Sequence, residues 1–183
     1  LLNRPSDQYS SACVDDFESG AKVAELFFKR GHKDVALISY GASSRSTVLK
    51  RSGFLSTCFE HGIHVDFNRV VDGEGSYRGG AMAAVELIQR CGSNLPTAVF
   101  VLESCMAIGA LPVFKKHGIE IPRDMEIVSC GDNPQDEFSI PSLTSIHMPL
   151  EEMSKDCMKI IFDILNGDVK QHVTLMQSIS IVF

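Results

Sequence analysis

Six cysteines, six histidines and one hydroxyl-rich loop are the parts of this sequence whose chemistry has to be placed first. The cysteines, at 13, 58, 91, 105, 130 and 157, form no CxxC pair and no Cys/His spacing that suits zinc. Most lie in apolar runs such as Thr97 to Leu111, where a free Cys behaves as a small hydrophobe, so reduced and buried thiols are expected. The histidines, at 32, 61, 64, 117, 147 and 172, are dispersed, and His32 and His117 stand beside helix-ending glycines where a cation serves the last carbonyls. None is read as a general base. The stretch Gly41-Ala42-Ser43-Ser44-Arg45-Ser46 is not GxGxxG, no GxxxxGK[ST] occurs, and no Ser/His/Asp order forms a nucleophile elbow. The sequence is therefore read as no enzyme, with no metal and no cofactor.

The loops that count follow from the elements around them. Asp15-Asp16-Phe17-Glu18 puts carboxylates at the mouth of a helix, Val23, Ala24, Phe27 and Phe28 recur at helical spacing, and Gly31 ends it. Val35 to Ile38 is a short apolar run of the kind buried in a parallel sheet. A helix through Phe54 and Phe59 follows and closes at His61-Gly62, then a brief strand over Arg69 to Val71, then a helix bearing Ala84, Leu87, Ile88 and Cys91. Thr97 to Leu102 is a further buried strand, with a helix from about Ser104 to His117 that Pro112 should kink. Glu126 to Cys130 is the next strand, Met153, Cys157, Ile160, Ile161 and Ile164 stripe a late helix, and the tail from His172 is β-prone. Alternating strand and helix with short connections predicts an α/β fold with a doubly wound parallel sheet. Ligands then sit off the carboxyl ends of the strands. Five loops qualify: Asp15–Glu18, Tyr40–Lys50, Gly73–Gly80, Glu103–Met106 and Gly131–Phe138.

Composition narrows the classes. The 183 residues are 44% apolar and 22% charged, ordinary globular usage that excludes disorder and fibrous repeats. Seventeen basic residues against 23 acidic ones give a formal charge of −6, with no basic cluster for nucleic acid. No apolar run reaches the roughly 18 residues of a membrane helix, and the first residues lack the charged and apolar regions of a signal peptide. Leu1, Leu2 and Asn3 read as the tail of a buried strand, which predicts that an upstream part of the fold precedes them.

Four groups of residues carry a resemblance. The first is Asp15-Asp16, Gly20 and Gly31-His32-Lys33-Asp34-Val35-Ala36-Leu37-Ile38; the second is Arg51-Ser52-Gly53-Phe54. Then come Pro96 to Phe100 with Met106 to Ala110, and last Gly118 to Asp124 with Pro141-Ser142-Leu143-Thr144-Ser145-Ile146 and Pro149. In this order and spacing, over nearly the whole chain, they resemble the effector-binding core of the lactose-repressor (LacI/GalR) family of bacterial transcription regulators. The resemblance implies a periplasmic-binding-protein-like fold of type I, two lobes closing on a small molecule, of which this chain supplies mostly the C-terminal lobe. On that reading 16–140 is mainly the C-terminal lobe, 1–15 and 141–165 belong to the N-terminal lobe and the crossings, and 166–183 are terminal strands. The DNA-reading helix-turn-helix is expected to lie outside the chain.

The resemblance also implies site residues. Ser44 and Ser46 match the loop that offers hydroxyls to a sugar or nucleoside. Lys50 falls where the family has an arginine, a point charge in place of a planar fork. Gly75 replaces the ring-stacking aromatic, with Tyr77 nearby as its substitute; Glu103-Ser104 stands for the Asn-Asp pair, and Asp132 lies one position past the effector-binding aspartate. These departures imply either an effector unlike the usual neutral sugars, with an amino group for Glu103, or lost binding. Each residue also has a plainer reading: Ser44, Ser46 and Asp132 as turn residues, Lys50 as a surface charge, Glu103, Asp15 and Asp16 as helix-mouth carboxylates.

The function implied is a repressor-type regulator, cytoplasmic, sensing a sugar-like or nucleoside-like effector in an interlobe cleft. Its partners would be that effector, DNA through the N-terminal domain only, and a second copy in a homodimer, with no membrane. A periplasmic sugar-binding protein of a transporter shares the fold and is the alternative.

Overall fold

The computed structural model describes residues 1–41, 44–131, 138–168 and 172–182. It divides into a smaller unit, 1–15 with 148–180, and a larger one built on 16–147 and the last residues from Ile181.

In the larger unit the elements alternate as their periodicities demand. Helix α1 (Asp16–Lys29) leads to β2 (Val35–Tyr40), α2 (Arg45–Glu60), a 3₁₀ turn at Phe67–Arg69, β3 (Val70–Gly73), α3 (Tyr77–Cys91) and β4 (Ala98–Val101). Helix α4 (Ser104–Lys116), β5 (Glu126–Cys130) and β6 (Thr144–His147) complete the series, and the sheet order is β3-β2-β4-β5-β6, with β8 (Ser180–Val182) at the edge beside β6. Neighbours from β3 to β6 are parallel, in the register Tyr40 with Gly73, Val35 with Ala98, and Val101 with Ser129.

Strand alternation sorts the core into two layers. Ala36, Ile38, Val71, Val99, Val101 and Ile127 face Ala84 and Leu87 of α3 and Met106, Ala110 and Phe114 of α4. On the other face Phe100 packs at 5.2 Å from Phe54 of α2, which meets Phe27 of α1 edge-on at 6.0 Å. Each layer holds a tight helix crossing. A Cβ on Gly20 would lie 1.9 Å from the Lys50 carbonyl oxygen, and one on Gly53 2.0 Å from that of Phe17, so α1 and α2 touch backbone to backbone. Gly80 against Met106 and Gly109 against Tyr77 repeat the device between α3 and α4, at 2.0 and 1.9 Å.

Because β3 lies to one side of β2 and β4 to the other, the winding reverses between β2 and β4. The chain leaves β2 for α2 on one face and β4 for α4 on the opposite face, which opens a crevice at the carboxyl ends of these two strands.

The smaller unit pairs β1 (Ser11–Val14) with β7 (Thr174–Gln177) in parallel and adds α5 (Leu150–Asn166), which ends on Gly167 in the left-handed conformation. Its stripe is only partly used: Met153 and Ile160 are buried, whereas Ile161, Phe162, Ile164 and Leu165 are exposed.

Three local readings change. Leu1 and Leu2 are half exposed and form only an isolated bridge, Leu2 with Ala12, so they are not a buried strand. Arg69 belongs to the 3₁₀ turn and the strand starts at Val70. His32, expected to serve the last carbonyls of α1, instead bonds Thr97 and Glu126, to which Arg30 also pairs. His117 does bond Val113 O at 2.9 Å.

Candidate functional site

The crevice at the ends of β2 and β4 is where polar groups collect. Tyr40 ends β2, Glu103 follows β4 and Cys130 ends β5, so strand register alone sets three side chains along one edge. Helix α2 rises from the same edge. Ser44 is its N-cap residue and makes no side-chain capping bond, while Ser46, Thr47 and Lys50, at i, i+1 and i+4, lie on one turn of the helix. The Gly20–Gly53 crossing brings the mouth of α1 onto that turn, and with it Asp16, the first residue of α1.

Two hydrogen-bonded sets result. The Ser46 hydroxyl donates to Asp16 Oδ1 at 2.7 Å, and Lys50 Nζ lies 3.6 Å from the same oxygen. Asp16 is 5% exposed and Lys50 6%, a buried ion pair rather than a surface contact. The Tyr40 hydroxyl donates to Glu103 Oε1 at 2.6 Å. Glu103 is the N-cap residue of α4 but makes no capping bond; its carboxylate turns to Tyr40 instead. Thr47 lies beside the Tyr40 phenol, and its buried hydroxyl makes no well-formed hydrogen bond.

Electrostatics couple the sets. Burial works against the Lys50 charge, but its acidic neighbours Cys130, Asp16, Glu103 and Tyr40 outweigh it and hold the ammonium above its usual range. Burial raises the Cys130 thiol, with Lys50, which hydrogen-bonds it, pulling the other way. Burial also raises the Tyr40 phenol, and Glu103 raises it further, so Tyr40 is a neutral donor at neutral pH. The cluster therefore holds an ammonium, two carboxylates, a phenol, hydroxyls and a thiol in a fixed arrangement. Among the described residues no three His, Cys, Asp or Glu side chains gather as metal ligands. The cluster offers hydrogen bonding and charge complementarity.

Of the expected residues, the structure brings Ser46, Lys50 and Glu103 into this cluster, and Ser44 caps the helix that carries two of them. Tyr77 opens α3, half exposed, after a loop in which Gly75 lies against Tyr40: a Cβ on Gly75 would be 3.6 Å from the Tyr40 ring. Asp132 lies outside the described residues. Asp16, Tyr40 and Thr47 fall in two of the five expected loops without being singled out as site residues, and Cys130 lies just before a third. A separate depression of about 490 Å³ lies at the other end of α4, lined by Leu111, Lys115, Ile119, Ile121, Ile140 and Pro141, away from this cluster.

Residues 24–183 match the periplasmic binding protein-like domain family. The chain is 32% identical over 158 residues to the HTH-type transcriptional regulator GalS of Salmonella typhimurium, covering 85% of this chain and 46% of that protein. It is 26% identical over 175 residues to the HTH-type transcriptional regulator CelR of Thermobifida fusca, covering 96% of this chain and 51% of that one. The chain thus spans about half the length of the curated relatives it matches. The crystal structure of a LacI family transcription regulator from Clostridium acetobutylicum superposes with a TM-score of 0.93 at 32% identity, over all of this chain and 68% of that one. No described helix is long and apolar enough to cross a membrane. The chain belongs to the LacI family of transcription regulators, whose periplasmic binding protein-like domain it carries over residues 24–183.

Proposed function

We propose that the chain is the effector-sensing part of a repressor-type transcription regulator, and that its effector, a small sugar-like or nucleoside-like molecule, binds at the carboxyl edge of the large sheet. Ser44, Ser46, Lys50, Tyr77, Glu103 and Asp132 form the site, with Asp16, Tyr40 and Thr47 beside them. One observation carries the reading: five residues from four places in the chain, Asp16, Tyr40, Ser46, Lys50 and Glu103, form hydrogen-bonded and ion-paired sets at the point where the sheet's winding reverses. A polar cluster of hydroxyls and charges suits reversible binding, and the named relatives are transcription regulators.

In the whole protein, DNA is contacted by a helix-turn-helix of the kind the relatives are named for. The protein is cytoplasmic and works as a homodimer, and the effector acts through its different affinity for two states of that dimer. Calorimetric titration of the chain with a panel of neutral sugars, amino sugars and nucleosides tests the reading. Saturable binding by one of them, lost on Ser46→Ala and Glu103→Gln, supports it; a folded chain that binds none contradicts it.

A further inference from the structure

We infer that the effector carries a basic amino group, held by the Glu103 carboxylate with Tyr40 at its side, so that the chain distinguishes an amine-bearing sugar from its neutral parent. This rests on reading the carboxyl edge as the effector site. Among the described residues the cluster holds two carboxylates, Asp16 and Glu103, and one ammonium, Lys50. Lys50 is turned inward, its side chain 8% exposed, against an Asp16 whose side chain is 5% exposed and already takes the Ser46 proton. That charge is committed to the interior. Glu103 also feels it, but one ammonium cannot neutralise two carboxylates.

Glu103 differs from Asp16 in every respect that matters to a ligand. It is only partly buried, it does not cap the helix it precedes, and its described partner is the Tyr40 hydroxyl at 2.6 Å. Tyr40 stays neutral there, so it orients Glu103 without cancelling its charge. A sugar hydroxyl could bond Glu103 but would leave its charge uncompensated. An ammonium at the same place makes charge-assisted hydrogen bonds, about twice as strong as neutral ones.

The test is calorimetry at neutral pH with D-glucosamine against D-glucose and D-galactosamine against D-galactose. At least one amino sugar should bind about tenfold or more tighter than its neutral parent, the worth of one charge-assisted bond. Glu103→Gln should abolish that preference, and raising the pH past the amine's own pKa should abolish it in the wild type. Tyr40→Phe, which keeps the Glu103 charge, should lower the affinity for both sugars and retain the preference. If neutral sugars bind as tightly as amino sugars, or Glu103→Gln keeps the preference, the inference is wrong and the proposed site stands. If neither kind of sugar nor any nucleoside binds, both fall together.

Discussion

The Tyr40 hydroxyl donates to the Glu103 carboxylate at 2.6 Å, joining the residue that ends β2 to the residue that follows β4 across the reversal of the sheet. The two lie 63 positions apart in the sequence and are adjacent only because β2 and β4 are hydrogen-bonded neighbours. The bond fixes the geometry of the one carboxylate in the cluster that is not sealed inside.

Tyr40 should titrate above an ordinary phenol. Its phenol is raised first by burial and then by Glu103. A group raised in the folded state contributes stability that is complete below its unfolded pKa of about 10 and is lost as the pH rises through the folded value. Ultraviolet titration should show one late-titrating phenol in the wild type, with stability falling on the alkaline side. Glu103→Gln should bring that phenol down; if its titration does not move, the bond does not control Tyr40.

Removing the Lys50 charge while Asp16 stays should cost about 3–5 kcal/mol of stability, because it strands a buried carboxylate. Urea denaturation of Lys50→Met measures this, and Lys50→Met combined with Asp16→Asn should recover much of the loss. A Lys50→Met protein as stable as the wild type would show that Asp16 is hydrated.

Gly20→Ala and Gly53→Ala should each destabilise the fold by roughly 1–3 kcal/mol or more, since each Cβ would meet a carbonyl oxygen at about 2 Å and α1 and α2 would have to separate. The same separation would pull Asp16 away from Lys50, so effector affinity should fall with stability. Denaturation midpoints together with calorimetry check the pair of effects. Stability lost with affinity unchanged would detach the crossing from the site.

The Asp16–Lys50 pair shows what was legible in the sequence. Short apolar runs and glycine helix ends gave the order of strands and helices, and the loops after the strands located the edge. Asp16 lies in one of those loops but is read first as a helix-mouth carboxylate, because that local explanation suffices while its partners are 30 and 34 residues away. A signal was present: Gly20 is four residues after Asp16 and Gly53 three after Lys50, so each glycine shares a helix face with its charged residue. Once the glycine faces meet, the charges meet. Cys130 was hidden differently, as the last residue of a strand whose side chain looks like core until register places it at an edge.

The cysteines should react in two groups. None is disulfide-bonded; Cys13, Cys58 and Cys130 are buried, while Cys91, Cys105 and Cys157 are partly exposed. Burial pushes the Cys58 thiol up to about 12, so it is protonated at neutral pH as well as inaccessible. Under native conditions a thiol-reactive dye should label the second group first, and Cys58 only on unfolding. Early labelling of Cys58 would mean that α2 opens readily.

The smaller unit leaves Ile161, Phe162, Ile164 and Leu165 of α5 in water, an apolar surface that invites self-association. Light scattering should find dimers or larger species, reduced by Phe162→Asp with Leu165→Lys. A monomer at all concentrations would contradict this.

The measurement that bears most directly on the effector site is the map of backbone amide shifts when the chain is titrated with the tightest ligand of the panel. The largest changes should fall at Tyr40–Gly41, Ser44–Lys50, Gly73–Tyr77 and Glu103–Met106. Changes centred instead on the depression between Leu111 and Ile121, with the carboxyl edge unmoved, would contradict the account.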